Sequence, residues 1–289
     1  MELPLHVVNV FTNKGIYGGN QLGVLPDAAS LTTAEMQQIA KQMNYSESTF
    51  VTNMDEQSAD VRIFLPNSEI PFAGHPTLGS AYLIEKLHQQ NHLPRDKLRL
   101  DLQGGEVMTY FDHSGRVYMD QLSVTEYGMY DESERLLETL GLTPDQIISE
   151  EFPIIAPSSL KFIFVPVKTI DAISQIKVNF EGLQELLEGT DMEPYVFAPH
   201  GMDGGDIYAR FFAPNSGIIE DPATGSAQAS LIRALEVLKL LPEKDEIIVE
   251  QGYDMGRPST LYNRIMDRDT LEVKTGGYVS HILEGMIHL

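Results

Sequence analysis

The spacing of apolar residues along the chain predicts many strands and few helices. Short runs typical of β-strands recur between turn residues, and those at residues 97–102, 106–111 and 116–119 alternate apolar with polar positions. Such runs occur at residues 5–11, 45–51, 61–65, 97–102, 106–111, 116–119, 152–156, 161–165, 195–198, 207–212, 246–250, 260–265, 271–274 and 278–284. We therefore predict α+β domains in which a curled, mostly antiparallel sheet or barrel surrounds a central helix.

Apolar residues at helical spacing predict one long helix in each half of the chain. The first covers residues 76–88 and the second residues 222–238. Another helix is predicted from Thr32 to Asn44, because Glu35 follows Thr32 at the spacing of a capping box. Shorter helical segments are predicted at residues 133–140, 169–176 and 182–187.

One stretch of sequence occurs twice. Residues 62–68 (RIFLPNS) lead to residues 75–81 (HPTLGSA), and residues 210–216 (RFFAPNS) lead to residues 221–227 (DPATGSA). The two endings align without a gap at an offset of 146 residues (221 minus 75), about half of the 289-residue chain. Because such self-similarity indicates duplication, we predict two pseudo-symmetric lobes, residues 1–125 and 126–289. A return of the last strand, residues 278–289, to the first lobe is left open.

The duplicated ending suggests a binding site. Proline is favoured in the first helical turn, so helices are predicted to begin at His75-Pro76 and at Asp221-Pro222, with Asp221 as N-cap. Two such N-termini facing each other would bind a small carboxylate. The copies differ at this point, because one has an imidazole and the other a carboxylate. Such a pair suits general acid–base catalysis on an asymmetric substrate.

Each of these residues also has a structural explanation. Asp221 as an N-cap would stabilise its helix by ~1 kcal/mol. His75 could be a packing histidine, and Glu47, which lies in a polar turn, could be a solvated side chain. Arg62 and Arg210 occupy equivalent places in both copies, which favours structural ion pairs over roles in an asymmetric site.

Composition narrows the classes of function. The net charge of −22 and the pI near 4.6 disfavour nucleic acids and anionic membranes as partners. The chain has no cysteine, which excludes disulfides and thiol catalysis and fits a cytoplasmic protein. No apolar run approaches the length of a membrane span, and no secretory signal is visible. Metal-binding, nucleotide-binding and serine-nucleophile motifs are also missing, so no metal or cofactor is expected.

Several long motifs resemble those of the phenazine-biosynthesis PhzF-like family. They are Phe11…Gly19-Asn20…Gly23-Val24 and residues 36–40 (MQQIA), 44–50 (NYSESTF), 72–79 (FAGHPTLG), 220–227 (EDPATGSA) and 251–259 (QGYDMGRPS). The resemblance covers essentially the whole chain. One departure is Gln21, where the family more often has proline.

The resemblance implies a diaminopimelate epimerase-like fold, with the active site in the cleft between two lobes, and a cofactor-independent homodimer. It makes Glu47 the catalytic base, with His75 and Asp221 as further catalytic residues. The epimerases with this fold use two cysteines, and their absence here favours carboxylate-based proton transfer. The predicted substrate-binding residues are Asn20, Ser46, Gly74, Thr77, Gly225 and Ser226.

The function expected from residues and resemblance together is that of an isomerase. It would move a proton on a small carboxylate similar to dihydro-hydroxyanthranilate, with Glu47 removing the proton from one carbon and returning it to another. Two alternatives remain at this point. One is a related epimerase, lyase or hydrolase on the same scaffold, and the other is a non-catalytic protein that binds a carboxylate metabolite.

Overall fold

The chain divides into two compact units. The computed structural model describes residues 1–13, 15–90, 92–122, 124, 126–157 and 160–289. One unit consists of Met1–Asp120 together with Gly276–Leu289, and the other of Gln121–Thr275. The predicted boundary between the lobes follows Thr125, which lies outside the described residues.

The first unit is a closed barrel around a helix. Its elements are β1 (Glu2–Thr12), β2 (Asn20–Leu25), α1 (Thr33–Met43), β3 (Glu47–Met54), β4 (Ser58–Phe64), β5 (Glu69–Ile70), α2 (Gly74–His88), β6 (Lys97–Leu102), β7 (Gly105–Phe111) and β8 (Arg116–Asp120). The chain's last strand, which begins in the second unit and continues to His288, pairs with both β1 and β8 and so closes the barrel.

The central helix α2 is buried on nearly all sides. Residues from Gly74 to Ala81 are all buried, as are Leu83, Ile84 and Glu85, which is the pattern of a helix enclosed by protein. Gly79 lets α2 approach the barrel wall, because a Cβ there would lie 2.6 Å from the side chain of Leu22. Neither α2 nor any other helix in the described part of the chain is long and apolar enough to cross a bilayer.

The second unit has further helices outside its sheet. Its elements are β9 (Gly128–Met129), α3 (Ser133–Leu140), β10 (Pro153–Ile155), β11 (Lys161–Pro166), α4 (Ile170–Ser174), α5 (Phe180–Leu187), β12 (Met192–Ala198), β13 (Ile207–Ala213), β14 (Ile218–Asp221), α6 (Gln228–Val237), β15 (Glu246–Gln251), β16 (Ser259–Asp267) and the start of β17 (Glu272–His288). Side chains of α3, α4 and α5 form one apolar core with β11, β12 and β13.

The two units repeat one topology. In the first, β1–β2 are antiparallel, β2–β3 parallel, β3–β4 and β4–β5 antiparallel, β4–β6 parallel and β6–β7 antiparallel. The second unit has the same order of antiparallel and parallel pairings, in the strand pairs β10–β11, β11–β12, β12–β13, β13–β14, β13–β15 and β15–β16. The predicted α+β class and pseudo-symmetric organisation are therefore confirmed.

The repeated arginines form ion pairs at equivalent places, as the sequence predicted. Arg62 donates Nε and Nη2 to the carboxylate of Glu69 at 2.8 and 2.6 Å. Arg210 donates the same atoms to Glu220 at 2.8 and 2.7 Å. In each unit the pair joins the two strands of a hairpin, β4–β5 or β13–β14. Its role is therefore to hold the hairpin that precedes the central helix.

Local signals placed α1 correctly but misplaced α6. Thr32 and Glu35 form the predicted capping box at the start of α1. The helix predicted from residue 222 instead begins at Gln228, after a 3-10 turn at Gly225–Ala227, and Asp221 ends a strand rather than capping a helix. The segments predicted at 271–274 and 278–284 are one continuous strand, β17 (Glu272–His288), of which Tyr278–His288 pairs with β1.

The two arginine pairs should differ in energetic importance. Side chains of the Arg210–Glu220 pair are 11% and 10% exposed, against 30% and 21% for Arg62–Glu69. Arg210→Met leaves a buried carboxylate unpaired and should lower the free energy of unfolding by about 3–5 kcal/mol. Arg62→Met, the matched control, should cost roughly 1 kcal/mol. Urea unfolding followed by circular dichroism measures both, and equal losses would contradict this account.

Candidate functional site

Glu47 and His75 lie in contact inside the first unit. Glu47 is the first residue of β3, and His75 is the second residue of α2. Glu47 Oε2 is 3.4 Å from His75 Nε2, and the side chains are 12% and 5% exposed. A carboxyl group and an imidazole, the two groups most used in general acid–base chemistry, therefore share one nearly enclosed place.

A short hydrogen-bonded chain holds His75. Asn20, the first residue of β2, places its Nδ2 3.2 Å from His75 Nδ1. Ser46 Oγ donates to Asn20 Oδ1 at 3.2 Å. The parallel register of β2 and β3, with Leu22 opposite Glu47, brings these residues together. Asn20 and Ser46, predicted to bind substrate, thus orient the imidazole in this structure.

Burial changes the acidity of Glu47. The loss of water around the carboxyl group raises the pKa of Glu47 to about 7, and a hydrogen bond from the Ser46 side chain opposes this rise. Near neutral pH both the acid and the base form of Glu47 are then populated. A group that must take a proton and give it back works best under that condition.

The network also selects one form of His75. An amide nitrogen can only donate, so His75 Nδ1 accepts the hydrogen bond from Asn20. The hydrogen of the neutral ring is thereby assigned to Nε2, the atom that faces Glu47. The Nε2 hydrogen then faces the carboxylate across 3.4 Å, and this nitrogen does not compete with Glu47 as a base.

The start of α2 supplies backbone rather than side-chain groups. Gly74 is its first residue, and the N-cap, Ala73, makes no side-chain cap hydrogen bond. Thr77 is fully buried, and its hydroxyl donates to the carbonyl of Ala73 at 2.7 Å. The predicted contributions of Gly74 and Thr77 to substrate binding are therefore confined to the backbone of the first turn and stay predictions.

In the second unit, Asp221 is held by Thr224 and Gln251, neither of which was predicted as a site residue. Thr224 Oγ1 donates to Asp221 Oδ2 at 2.6 Å. Gln251 Nε2 donates to the Asp221 carbonyl at 2.8 Å and to Thr224 Oγ1 at 2.9 Å, and its Oε1 accepts from the Thr224 backbone at 3.3 Å. These bonds tie residues 221 and 224 to β15, which explains why the helix starts only at Gln228.

The network continues into the core of the second unit. Tyr195 donates its hydroxyl hydrogen to Gln251 Oε1 at 3.1 Å and accepts from Gln228 at 3.2 Å. Asn263 donates to Gln228 at 2.9 Å, and all four side chains are fully buried. Gln251 opens the motif at residues 251–259, which was the available sequence signal for this network.

The remaining predicted binding residues lie in the 3-10 turn Gly225–Ala227. Ser226 is partly exposed, whereas Gly225 is buried. The Gly225 carbonyl accepts a hydrogen bond from Gln121 at 3.3 Å. Among the described residues, one group of three His, Asp or Glu side chains has ligand atoms close enough together to bind a metal ion. Glu47, His75 and Asp221 do not belong to that group.

Glu47 has an equivalent in the second unit, Glu193. The two are 146 residues apart, which is the offset of the repeat. Glu47 lies three residues before Phe50, which is opposite Arg62 on the neighbouring strand. Glu193 lies three residues before Val196, which is opposite Arg210. Burial raises the pKa of Glu193 to about 7 as well.

The surroundings of the two glutamates differ. Glu193 is fully buried, and its Oε1 accepts from the backbone and hydroxyl of Ser216 at 3.2 and 3.3 Å. Its Oε2 has no hydrogen-bond partner among the described residues. A buried glutamate is thus common to both copies, but only Glu47 lies beside an imidazole.

Comparisons with known proteins show the family and the fold of this chain. Residues 8–285 match the model of the family described as phenazine biosynthesis-like protein. An uncharacterised isomerase of Pasteurella multocida is 31% identical over 95% of this chain and 90% of its own. Trans-2,3-dihydro-3-hydroxyanthranilate isomerase of Pseudomonas fluorescens is 34% identical over 86% of each chain. A PhzF-family crystal structure from Bacillus anthracis, 22% identical, superposes over 100% of both chains with a TM-score of 0.81.

Stability should depend on pH through Glu193. Its pKa is raised in the folded state, so folding retains a proton, and stability is lost as pH rises from about 4.5 through about 7. Glu193→Gln should remove that loss and raise the free energy of unfolding at pH 8 by roughly 2–4 kcal/mol. Urea unfolding at pH 5 and pH 8 tests this, with exposed Glu185→Gln as control. An unchanged pH dependence in Glu193→Gln would contradict it.

The hydrogen position on His75 should depend on Asn20. In Asn20→Asp the donor is replaced by an acceptor, which should move the ring hydrogen from Nε2 to Nδ1. Imidazole ¹⁵N chemical shifts distinguish the two forms, and His75→Gln identifies the signals. Asn53→Asp, an exposed change on β3, should leave the spectrum of His75 unaltered. A wild-type signal with hydrogen on Nδ1 would overturn the assignment.

Proposed function

Because the chain is an isomerase of the phenazine biosynthesis-like (PhzF) family, we propose that it moves a proton between two carbons of a small carboxylate-bearing substrate. The proposed substrate class resembles dihydro-hydroxyanthranilate, which the name of the Pseudomonas fluorescens relative specifies for that protein. The observation that carries the proposal is the enclosed contact of Glu47 with His75.

The proposed reaction begins with Glu47 as a carboxylate. One of its oxygens takes a proton from a substrate carbon, and the electrons of the broken C–H bond shift into the adjoining unsaturated system. Glu47, now a carboxylic acid, delivers the proton to a second carbon and returns to its starting state. With its pKa near 7, Glu47 can do both without a large free-energy difference between its two forms.

The other proposed roles follow from hydrogen-bonding capacity. His75 Nε2–H faces Glu47 Oε2 at 3.4 Å and stabilises the carboxylate form before the first proton transfer and after the second. In the second unit, Asp221 is oriented by Thr224 and is proposed to accept hydrogen bonds from a hydroxyl or amine of the substrate. Ser226, partly exposed in its turn, is proposed to bind the substrate carboxylate.

A proton that leaves and returns to the same molecule requires no electron acceptor, so we propose that the enzyme works without a cofactor. We further propose a homodimer located in the cytoplasm. The cysteine-free composition supports the location, and the sequence resemblance supports the homodimer.

Removal of the Glu47 carboxyl group should abolish catalysis. In Glu47→Gln the amide cannot take a carbon-bound proton, so turnover of dihydro-hydroxyanthranilate should fall by at least ~10²–10⁴-fold. Product formation and deuterium at ring carbon are followed by NMR in deuterated water, with exposed Glu56→Gln as control. Turnover retained in Glu47→Gln would refute the role of Glu47. A wild-type protein inactive toward this compound would refute the substrate class.

A further inference from the structure

Two histidines and a glutamate cluster on the barrel strands β1 and β17 of the first unit. His6 lies on β1, and His281 and Glu284 lie on β17, with ligand atoms within 4.8 Å of one another. His6 is buried, His281 partly buried and Glu284 exposed. Lys86, which contacts the cluster, lies eleven residues after His75 on α2, or about 16 Å along the helix. The cluster is therefore separate from the Glu47–His75 site.

A β-bulge brings the three side chains to one face. His6 is opposite Glu284 and Val7 is opposite Leu283, but Val8 is opposite His281, so that Ile282 is an extra residue. In a regular ladder, His281 and Glu284 would point to opposite faces. The extra residue reverses the alternation and turns His281 toward His6. Bulges often redirect side chains next to functional sites.

The spacing of the imidazoles suits a shared metal ion. His6 Nδ1 is 3.1 Å from His281 Nε2. Two nitrogens that bind a tetrahedral zinc ion at ~2.0–2.1 Å lie about 3.4 Å apart. The pair therefore needs to open by only a few tenths of an ångström, and the exposed Glu284 side chain can supply a third ligand.

The protonation of the pair can be assigned from Lys86. Lys86 Nζ, which can only donate, lies 2.9 Å from His281 Nδ1. The ring hydrogen of His281 is then on Nε2 and is donated to His6 Nδ1. Because each ring accepts a hydrogen bond at Nδ1, both rings are neutral. Neutral imidazoles are the form that binds metals.

We propose that His6, His281 and Glu284 form a binding site for a divalent transition metal ion, with Zn²⁺ as the preferred occupant. His6 Nδ1, His281 Nε2 and a Glu284 oxygen are the ligands, and a water molecule completes four-coordination. His281 binds as its other tautomer, with the hydrogen at Nδ1, so Lys86 gives up its hydrogen bond there. The number of protons on the protein does not change. The ion fastens the chain's last strand to its first and so stabilises the closed barrel.

The chain provides a matched control on the same two strands. Glu2 is opposite His288, and His288 Nδ1 lies 3.0 Å from a carboxylate oxygen of Glu2. This pair has a histidine and a glutamate in cross-strand contact but no second histidine and no bulge. If any surface histidine–glutamate pair bound zinc, the Glu2–His288 pair would bind it as well as the cluster does.

The test is zinc titration of the full-length protein by isothermal calorimetry, with the melting temperature measured in parallel. Wild type should bind one equivalent of Zn²⁺ and melt at a higher temperature with it. His281→Gln and Glu284→Gln should weaken Zn²⁺ binding by roughly 10–100-fold or more. His281 is partly exposed and Glu284 is exposed, so both changes should leave the fold intact. His288→Gln should bind like wild type.

Lys86 provides an independent arm of the same experiment. Lys86→Met removes both the competing hydrogen bond and a nearby positive charge, so it should bind Zn²⁺ more tightly than wild type. Absence of stoichiometric binding by wild type would overturn the proposal. So would equal binding by wild type and His281→Gln, or weaker binding by Lys86→Met.

Discussion

The enclosure of Glu47 is the constraint on which the proposed chemistry depends. A carboxyl group loses solvation when it is buried, and here that loss raises its pKa to about 7. The packing of a barrel around α2, a helix buried on nearly all sides, offsets the free-energy cost of burying this carboxyl group. The same helix brings His75 to within 3.4 Å of the carboxylate. Fold and acidity are thus linked, because Glu47 lies against the helix that the barrel encloses.

The two units share one topology but carry different reactive groups at the repeated turn. In the first unit the repeated turn carries His75, oriented by the amide of Asn20. In the second it carries Asp221, oriented by Thr224 and through it by the amide of Gln251. Each copy therefore holds its reactive group with a buried amide, although the amides come from different strands. Such divergence on a repeated scaffold gives the two units different reactive groups at equivalent places.

Other repeated features are structural. The arginine–glutamate pairs hold equivalent hairpins, and both are partly or largely buried. Glu193 retains the burial of Glu47 and its raised pKa, but Ser216 occupies one of its oxygens. A perturbed pKa alone therefore does not identify a catalytic residue in this protein. The neighbouring imidazole is what distinguishes Glu47.

Local sequence determined the elements whose signals lie within a few residues. The capping box of α1 and the enclosed helix α2 follow from nearby residues, and the repeat and the family motifs were legible without coordinates. Tertiary structure decided what depends on distant partners. Gln251, far along the chain, delays the start of α6, and pairing with β1 places a bulge in β17. The acidity of Glu47 likewise arises from atoms gathered around it by folding, and a sequence pattern contains no measure of that desolvation.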